Sequence, residues 1–467
     1  MVIFLLWRMR LCILVALIIS FLPHVINAQV LTLHDAINKA YAHYPLLKQH
    51  QHEIEAAGAH IASVNGGRLP SLTIQDQLTA GTDNALQGGY YSLGIVPSTP
   101  GSYTNIRNSP NAGNVGIALL KWEFATFGYN KARENEARAQ LSVSQSILSR
   151  DKYLLTQNLI CTYLDWLKKY QLLKVQQENL QRVQILLNAI RANIMSGLKP
   201  GVDSSTAIAA LADARINYLT CLDNYHNAGI TLGTLSGMPT LQEMPDTGLL
   251  SKAYIQTENL DIRDTAMAAS HPLLDVFKKN IERQLASNQS IAHKYLPKLG
   301  LDAAGWVRSS GISPTGVYPD NLAYGMPYSK NNYLIGVTAT YNLFDLKHRH
   351  DELVEGNYTA EALESTLDYQ QTSLNELLAQ ANGTWSITLE KFKEIPAQLS
   401  AARQAYGQQM ALYRSGLNTL VELTNAQYSL TQAEANYILV QADLLQLLFI
   451  RAGLSGRLDN FLQNFKQ

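Results

Sequence analysis

The sequence carries little charge of either sign. Charged residues make up 16% of the 467 positions, and 37 basic side chains balance 37 acidic ones. Because surfaces that bind nucleic acid need a clear excess of lysine and arginine, we expect no nucleic-acid partner. Cysteine is also scarce, since only Cys161 and Cys221 remain beyond residue 28, which is too few for a disulfide framework.

Motifs that mark common catalytic sites are missing as well. The sequence has no phosphate-binding loop, no nucleophile elbow and no zinc-protease helix. We therefore expect no enzymatic activity and no cofactor. His50 and His52 point to different sides of a helix, and no acidic or cysteine partner stands at ligand spacing, so we expect no metal site.

The N-terminus has the layout of a secretory signal peptide. Arg8 and Arg10 precede an apolar run at residues 11–22, and Ala28 is a small residue suited to cleavage before Gln29. The alternative is an uncleaved membrane anchor, but the apolar run is short for a spanning helix. The layout predicts export.

Beyond Gln29, no stretch has the composition of a transmembrane helix. The most apolar segment, residues 437–450, is interrupted by Gln441, Asp443 and Gln446. The mature protein is therefore either soluble and exported, or inserted in a membrane as β-strands.

An internal repeat is the strongest positive signal in the sequence. Short motifs of the first half recur in the same order in the second half, with an offset of 227 positions that falls slightly along the chain, to 219. Examples are Pro45-Leu46-Leu47 with Pro272-Leu273-Leu274, and Ser196-Gly197-Leu198 with Ser415-Gly416-Leu417. The repeat predicts a signal peptide at 1–28, a first repeat at 29–237, a linker at 238–260, a second repeat at 261–456 and a C-terminal tail at 457–467.

Each half contains two segments with the period-two alternation of β-strands. They lie at residues 72–80, 113–124, 297–309 and 333–344. Each is about long enough to cross a membrane when tilted. Long loops rich in glycine, proline, asparagine and tyrosine, at 81–112 and 310–331, separate the members of each pair. Loops of this length fit the external side of an outer-membrane barrel.

The helical segments are unusually long. Residues 129–196 contain no proline and no glycine, and one helix of that length would reach on the order of 100 Å. The helices that follow the two Ser-Gly-Leu turns have heptad spacing. The seams are Ala207, Leu211, Ala214, Tyr218, Cys221, Tyr225, Ala228 and Leu232, and then Leu423, Ala426, Leu430, Ala433, Tyr437, Val440, Leu444 and Leu447. An ordinary antiparallel coiled-coil hairpin is the alternative interpretation.

Four membrane-length strands in one chain cannot close a barrel. Open sheet edges in lipid cost several kcal/mol for each unpaired backbone group, so partner chains must supply the other strands. Two chains would give eight strands, whose lumen side chains would fill. Three chains would give twelve strands and room for a water-filled pore.

These features resemble the TolC-like outer-membrane efflux family. The most specific stretch, residues 413–426, is similar to the family's second periplasmic tip turn and the start of its inner helix. The resemblance covers nearly the whole mature chain. It implies a mainly α-helical fold with a β-barrel part. A homotrimer would form a twelve-strand outer-membrane β-barrel, which continues into a long α-helical periplasmic barrel.

The resemblance also implies where the channel closes. In the family, polar links between inner and outer helices hold the tunnel end shut, and Asp203, Tyr413 and Asn418 stand at matching positions. Glu422 and Asn425 match positions where acidic side chains ring the entrance, and their spacing places them on one helix face. Three copies of Glu422 would favour cations. For each of these residues the alternative is a solvated position at a hairpin end.

One of these positions departs from the family pattern. The best-known members have an arginine where this chain has Asn418, and asparagine cannot form the ion pair of the latch. Lys199 and Arg414 are nearby cations that could take its place.

The predicted function is a passive exit duct in the bacterial outer membrane for efflux or type I secretion. The sequence contains no nucleotide site, so the resemblance implies an inner-membrane transporter as the energy source and a periplasmic adaptor between the two, besides outer-membrane lipid. A soluble periplasmic coiled-coil scaffold or adaptor is the alternative. An autonomous diffusion porin is disfavoured by the long helices.

Overall fold

The computed structural model describes residues 30–82, 106, 108–195, 202–238, 243–250, 271–313, 317 and 320–463. The helices are α1 (Leu33–His43), α2 (Pro45–Gly66), α3 (Tyr129–Met195), α4 (Val202–Ser236), α5 (Pro272–Lys294), α6 (Asp345–Arg414), α7 (Leu420–Leu454) and α8 (Leu458–Gln463). The strands are β1 (Val30–Leu31), β2 (Ser71–Gly81), β3 (Asn111–Ala125), β4 (Met244–Pro245), β5 (Lys298–Ser310) and β6 (Lys330–Thr340). The predicted signal peptide, the first hairpin tip at 196–201 and most of the predicted linker lie outside the described residues.

The order of elements occurs twice along the chain. In the first half α2, β2, β3, α3 and α4 follow one another, and in the second half α5, β5, β6, α6 and α7 do so. Helix α3 has 67 residues and α6 has 70, so each is on the order of 100 Å long. The order of helix, two strands and long helices is the one that the sequence predicts.

The chain divides into two compact units. The strand unit comprises residues 50–147 and 275–368, and the helical unit comprises the rest of the chain. The parts of α2, α3, α5 and α6 next to the four long strands belong to the strand unit, and the remaining parts of these helices belong to the helical unit.

The strand unit contains one antiparallel sheet with the order β2-β3-β5-β6. Among the described residues, β2 and β6 each have a single neighbouring strand, so each leaves a row of backbone groups unpaired over 11 residues. Unpaired edges of this length recruit further strands. In the described part of the chain the sheet is therefore open on both sides.

The register gives the sheet two different faces. Directly opposed residues share a face, and one row that crosses all four strands is Leu72, Leu120, Ala303 and Ile335. We name the face of this row the apolar face, because Asp76 is the only charged strand residue on it. The opposite face, the polar face, carries the other charged residues of these strands, which are Lys121, Glu123, Lys298, Asp302, Arg308 and Lys330.

Asp76 interrupts the apolar row for a structural reason. Its Oδ1 accepts a hydrogen bond of 2.6 Å from the hydroxyl of Tyr328. The tyrosine reaches it across Gly116, where a β-carbon would lie 2.8 Å from the tyrosine oxygen. Glycine at this position therefore leaves the space that the tyrosine occupies.

One strand ends earlier than its alternation predicts. The pattern extends from residue 333 to 344, but β6 stops at Thr340. The backbone N–H of Asp345 donates to the carbonyl of Asn342, and the side-chain amide of Asn342 donates to the Asp345 carboxylate at 2.9 Å. These bonds start α6, so this part of the prediction is wrong because the turn into the helix needs those residues.

A buried carboxylate ties the first strand pair to α3 within the strand unit. Glu134 accepts hydrogen bonds from Arg138 (2.8 Å), Arg68 (2.8 Å) and Lys131 (3.2 Å). These bonds lower the pKa of Glu134 to about 2, and the bond from Arg138 has the largest effect. Arg68 also donates to the carbonyl of Asn130 at 2.9 Å, so one cation joins the start of β2 to the first turn of α3.

The core of the helical unit forms mainly between α1, α3 and α7. Its largest fully buried side chains include Tyr163 and Trp166 of α3 and Leu445 of α7. The Tyr163 hydroxyl donates to the carbonyl of Leu31 at 2.7 Å and accepts from the N–H of Asp246 at 3.0 Å. These two bonds fix the short parallel pair of β1 and β4 against the helices.

Both predicted heptad seams lie on the less exposed sides of their helices. All eight seam residues of α4 are buried or half-buried, including Cys221, whose thiol is free. All eight seam residues of α7 are buried or half-buried too. Gln427 and Thr431 are buried as well, so the buried face of α7 is wider than its predicted seam.

Among the described residues, α7 is the one helix long and apolar enough to cross a membrane by length and composition. The expectation that no segment beyond Gln29 has such a composition is therefore wrong. Its leucines at 423, 430, 444, 445 and 448 are buried within the helical unit. Helix α7 is therefore placed as a core helix.

Candidate functional site

The end of the α6–α7 hairpin is a tight, fully described turn. Gly416 has a φ of +76°, a left-handed conformation that favours glycine. The N–H of Leu417 donates to the carbonyl of Leu412 at 2.9 Å, which closes the last turn of α6. Helix α7 begins four residues after the glycine, so Tyr413 lies at the end of α6, Asn418 lies in the turn and Glu422 lies at the start of α7.

Glu422 closes the start of α7. The N–H of Glu422 donates to Thr419 Oγ1 at 3.3 Å, and the N–H of Thr419 donates to Glu422 Oε2 at 3.2 Å. This reciprocal pair is a capping box. The carboxylate therefore has a local structural role, which the spacing Thr419-Leu-Val-Glu422 could have predicted from the sequence.

Asp203 and Tyr413 meet, as the family pattern implies. The Tyr413 hydroxyl donates to Asp203 Oδ2 at 3.4 Å, a long and therefore weak hydrogen bond. Tyr413 is only 4% exposed and packs among Leu187, Ile190 and Leu423. The pKa of Tyr413 is raised to about 12, mainly by burial and to a smaller extent by the charge of Asp203. The contact joins the start of α4 to the end of α6.

Asn418 does not reach the α3–α4 hairpin. Its side-chain amide donates to the Gln409 side chain of α6, and its Oδ1 accepts from the N–H of Thr419 at 2.7 Å. Both bonds stay within its own hairpin. Lys199 lies outside the described residues, and Arg414 is exposed at the end of α6.

Glu422 and Asn425 are exposed on the same side of α7. Within the chain, the Glu422 carboxylate contacts only Thr419 among the described residues, so its charge faces solvent. A carboxylate in this setting can attract cations, and its effect would grow where several copies approach one another.

Partly buried polar contacts that the sequence did not predict hold α7 against α3. Arg182 donates two hydrogen bonds to the Glu434 carboxylate, at 3.2 and 2.6 Å. One helical turn away, Asn179 Oδ1 accepts from Gln427 and from Thr431, both at 3.0 Å. Such paired groups fix the alignment of two helices, because sliding would leave them buried without partners. A search for apolar residues at heptad spacing does not detect these polar contacts.

Several solved structures share this fold. The Campylobacter jejuni CmeC outer membrane channel has a TM-score of 0.70 and 12% identity, and covers 93% of this chain and 89% of its own. The outer membrane protein VceC from Vibrio cholerae has a TM-score of 0.68 and 14% identity, with 91% and 96% covered. The Neisseria gonorrhoeae MtrE outer membrane channel has a TM-score of 0.65 and 14% identity, with 91% and 89% covered. At these identities the matches show the fold.

Family membership comes from the sequence itself. Residues 36–238 and 266–448 match the family described as "Outer membrane efflux protein". The two segments correspond to the two halves of the repeat and cover more than four fifths of the chain. No curated protein sequence matches the chain. On the family match, which agrees with the shared fold, this chain belongs to the outer membrane efflux protein family and is an outer-membrane protein.

Proposed function

We propose that three copies of this chain form a passive exit duct. Their strands make a closed twelve-strand barrel in the outer membrane, and their helices form a tunnel in the periplasm. An inner-membrane transporter drives transport through a periplasmic adaptor, in efflux or in type I secretion. The observation that carries the proposal is the open four-stranded sheet, with one apolar face and two unpaired edges.

The two edges are matched in direction. Because three successive antiparallel pairings connect β2 to β6, the two edge strands run in opposite directions. Placing β6 of one copy beside β2 of the next therefore continues the antiparallel alternation without a break. Head-to-tail contacts of this kind close into rings when the rotation permits. A ring removes both unpaired edges, which lipid does not tolerate.

The faces support a membrane setting. Leu72, Tyr333, Ile335 and Val337 of the apolar face are exposed within the chain, whereas a water-soluble protein buries such a surface. Outer-membrane barrels turn their apolar side chains to lipid and their polar ones to the lumen. Three copies suit the polar face, because an eight-strand barrel has a lumen filled by side chains.

The tip residues are proposed as the gate of this duct. The contact between Tyr413 and Asp203 would hold the two hairpins of one chain together at the closed end. Threefold symmetry would bring three Glu422 carboxylates, with Asn425 beside them, around the entrance and give it a preference for cations. Asn418 supports the turn of its own hairpin instead of making an ion pair.

The proposed precursor has the divisions that the repeat predicts. Residues 1–28 are removed before Gln29, residues 29–237 and 261–456 form the two repeats, 238–260 link them, and 457–467 form the tail. The family match at 36–238 and 266–448 agrees with this division into two similar halves.

Membrane fractionation tests the proposal against a soluble periplasmic scaffold. The duct should be recovered with outer membranes and should migrate as a larger species in an electrophoresis gel when the sample is not boiled. A scaffold would be released with the soluble periplasm and would show no such shift. Recovery in the soluble fraction would exclude the duct.

A further inference from the structure

The charges of the polar face balance one another except at one place. Lys121 of β3 lies directly opposite Asp302 of β5. At the strand ends next to the helices, Lys298 Nζ lies 3.3 Å from the Glu123 carboxylate. Each of these cations therefore has an anionic neighbour on its own face.

Arg308 and Lys330 are the exception. They are directly opposed on β5 and β6, which places their β-carbons about 5 Å apart on the same face. Like charges in this arrangement destabilise a sheet. Both side chains are exposed, and no described carboxylate lies within ion-pairing distance of either one. The two cations therefore repel each other, and an anion bound between them would make the arrangement favourable.

The surroundings supply further hydrogen-bond donors and no acid. The same row continues through Val115 to Gln77 of β2. The adjacent row of the polar face carries Gln75 and Asn332 at its two edges. Side-chain amides and two cations form a set suited to a phosphate or a carboxylate.

The pair lies at the end of the strands remote from the helices of the strand unit. On the apolar face, the row of Ile74 and Tyr333 is the last fully uncharged row before Asp76, and the row of Arg308 and Lys330 lies beyond the row of Asp76. On the proposed function this end is external and the polar face lines the lumen, so three copies place six cations around the outer mouth.

We infer that Arg308 and Lys330 form an anion-binding site at the outer mouth of the duct, which takes small polyvalent anions such as oligophosphates. The inference rests on the proposed function for the orientation of the polar face. It adds a site whose charge is opposite to that of Glu422.

The test uses the full-length wild-type channel in planar bilayers of neutral phosphatidylcholine, with inorganic tripolyphosphate added to one chamber at a time. We expect tripolyphosphate to reduce the current from the side of the strand loops. The double variant Arg308→Gln/Lys330→Gln should raise the half-blocking concentration about fivefold. Lys121→Gln is the matched control, because it removes a cation from the same face that already has an anionic neighbour, and it should leave the block unchanged.

Three results would overturn the inference. The first is a wild-type channel that conducts but is not blocked by tripolyphosphate. The second is a double variant that is blocked as strongly as the wild type, and the third is a Lys121→Gln control whose half-blocking concentration rises as much as that of the double variant. A block of the current that appears only after phosphorylated lipid is added to the bilayer would show that the two cations bind a lipid headgroup. That result would also overturn the inference. Loss of wild-type conductance or of the trimer would instead count against the proposed function, and both variants are first checked for trimer formation.

Discussion

Two neighbouring residues of β6 offer a direct comparison of the two faces of the sheet. Ile335 lies on the apolar face and is 72% exposed within the chain, and Leu334 lies on the polar face and is 56% exposed. Both are large aliphatic side chains on the same edge strand. Substituting either residue with arginine replaces an aliphatic side chain by a cation at nearly the same depth. Any difference in stability between the two variants therefore reports the environment of the face.

The expected effects differ because only one face meets lipid. Ile335 sits near the middle of the apolar rows, where an arginine on the lipid side of a barrel costs about 2–4 kcal/mol per chain. Leu334 would face the water of the lumen, where a surface substitution changes stability by about 0.5 kcal/mol or less. Ile335→Arg should therefore destabilise the assembled protein strongly and Leu334→Arg only slightly.

Urea titration of the protein folded into lipid vesicles measures the difference, with unheated electrophoresis as a check of assembly. Ile335→Arg should unfold at clearly lower urea, whereas Leu334→Arg should follow the wild type. Equal effects, or a larger effect of Leu334→Arg, would refute the assignment of the faces. If both variants behaved as the wild type, the sheet would not be in lipid at all.

Three further predictions concern single polar side chains. Glu422→Gln should keep the capping box, since an amide oxygen also accepts the backbone N–H. The variant should weaken cation selectivity in planar bilayers with the trimer intact. An unchanged reversal potential would exclude the carboxylate ring. Tyr413→Phe removes the weak bond to Asp203, worth about 0.5 kcal/mol, and should raise the frequency of open levels roughly twofold. Tyr406→Phe, in the same cluster, is its control and should leave that frequency unchanged. Because the pKa of Glu134 falls from 4.5 to about 2 on folding, its contribution to stability is complete above pH 4.5 and is lost as the pH falls towards 2. Thermal unfolding of Glu134→Gln should show a weaker dependence on pH in that window than the wild type.

Periodicity predicted the long elements of the fold because each has one dominant constraint. The strands at 72–80, 113–124 and 297–309 agree with β2, β3 and β5 to within about two residues, since each alternates between two different faces. Helix α3 agrees because nothing in residues 129–195 interrupts a helix. The end of β6 was predicted too late, because the apolar alternation continues through the turn that starts α6.

The candidate site was harder to predict, because polar partners leave little trace in a sequence. Tyr413 and Asp203 lie 210 positions apart, and only the family resemblance brought them together. The partly buried contacts of Asn179 with Gln427 and Thr431 were not predicted, since a polar residue on a heptad face is normally taken as exposed. For Asn418, the resemblance indicated a link between hairpins, and the side chain instead bonds within its own hairpin.

In the proposed duct, copies of this chain complete one another's sheet, and the mass of the native particle shows how many copies take part. Native mass spectrometry of the detergent-extracted protein, combined with conductance of the same sample in planar bilayers, should give a conducting species with the mass of three chains. A stable monomer that still conducts would contradict the account, because one four-stranded sheet with two unpaired edges cannot enclose a pore in lipid.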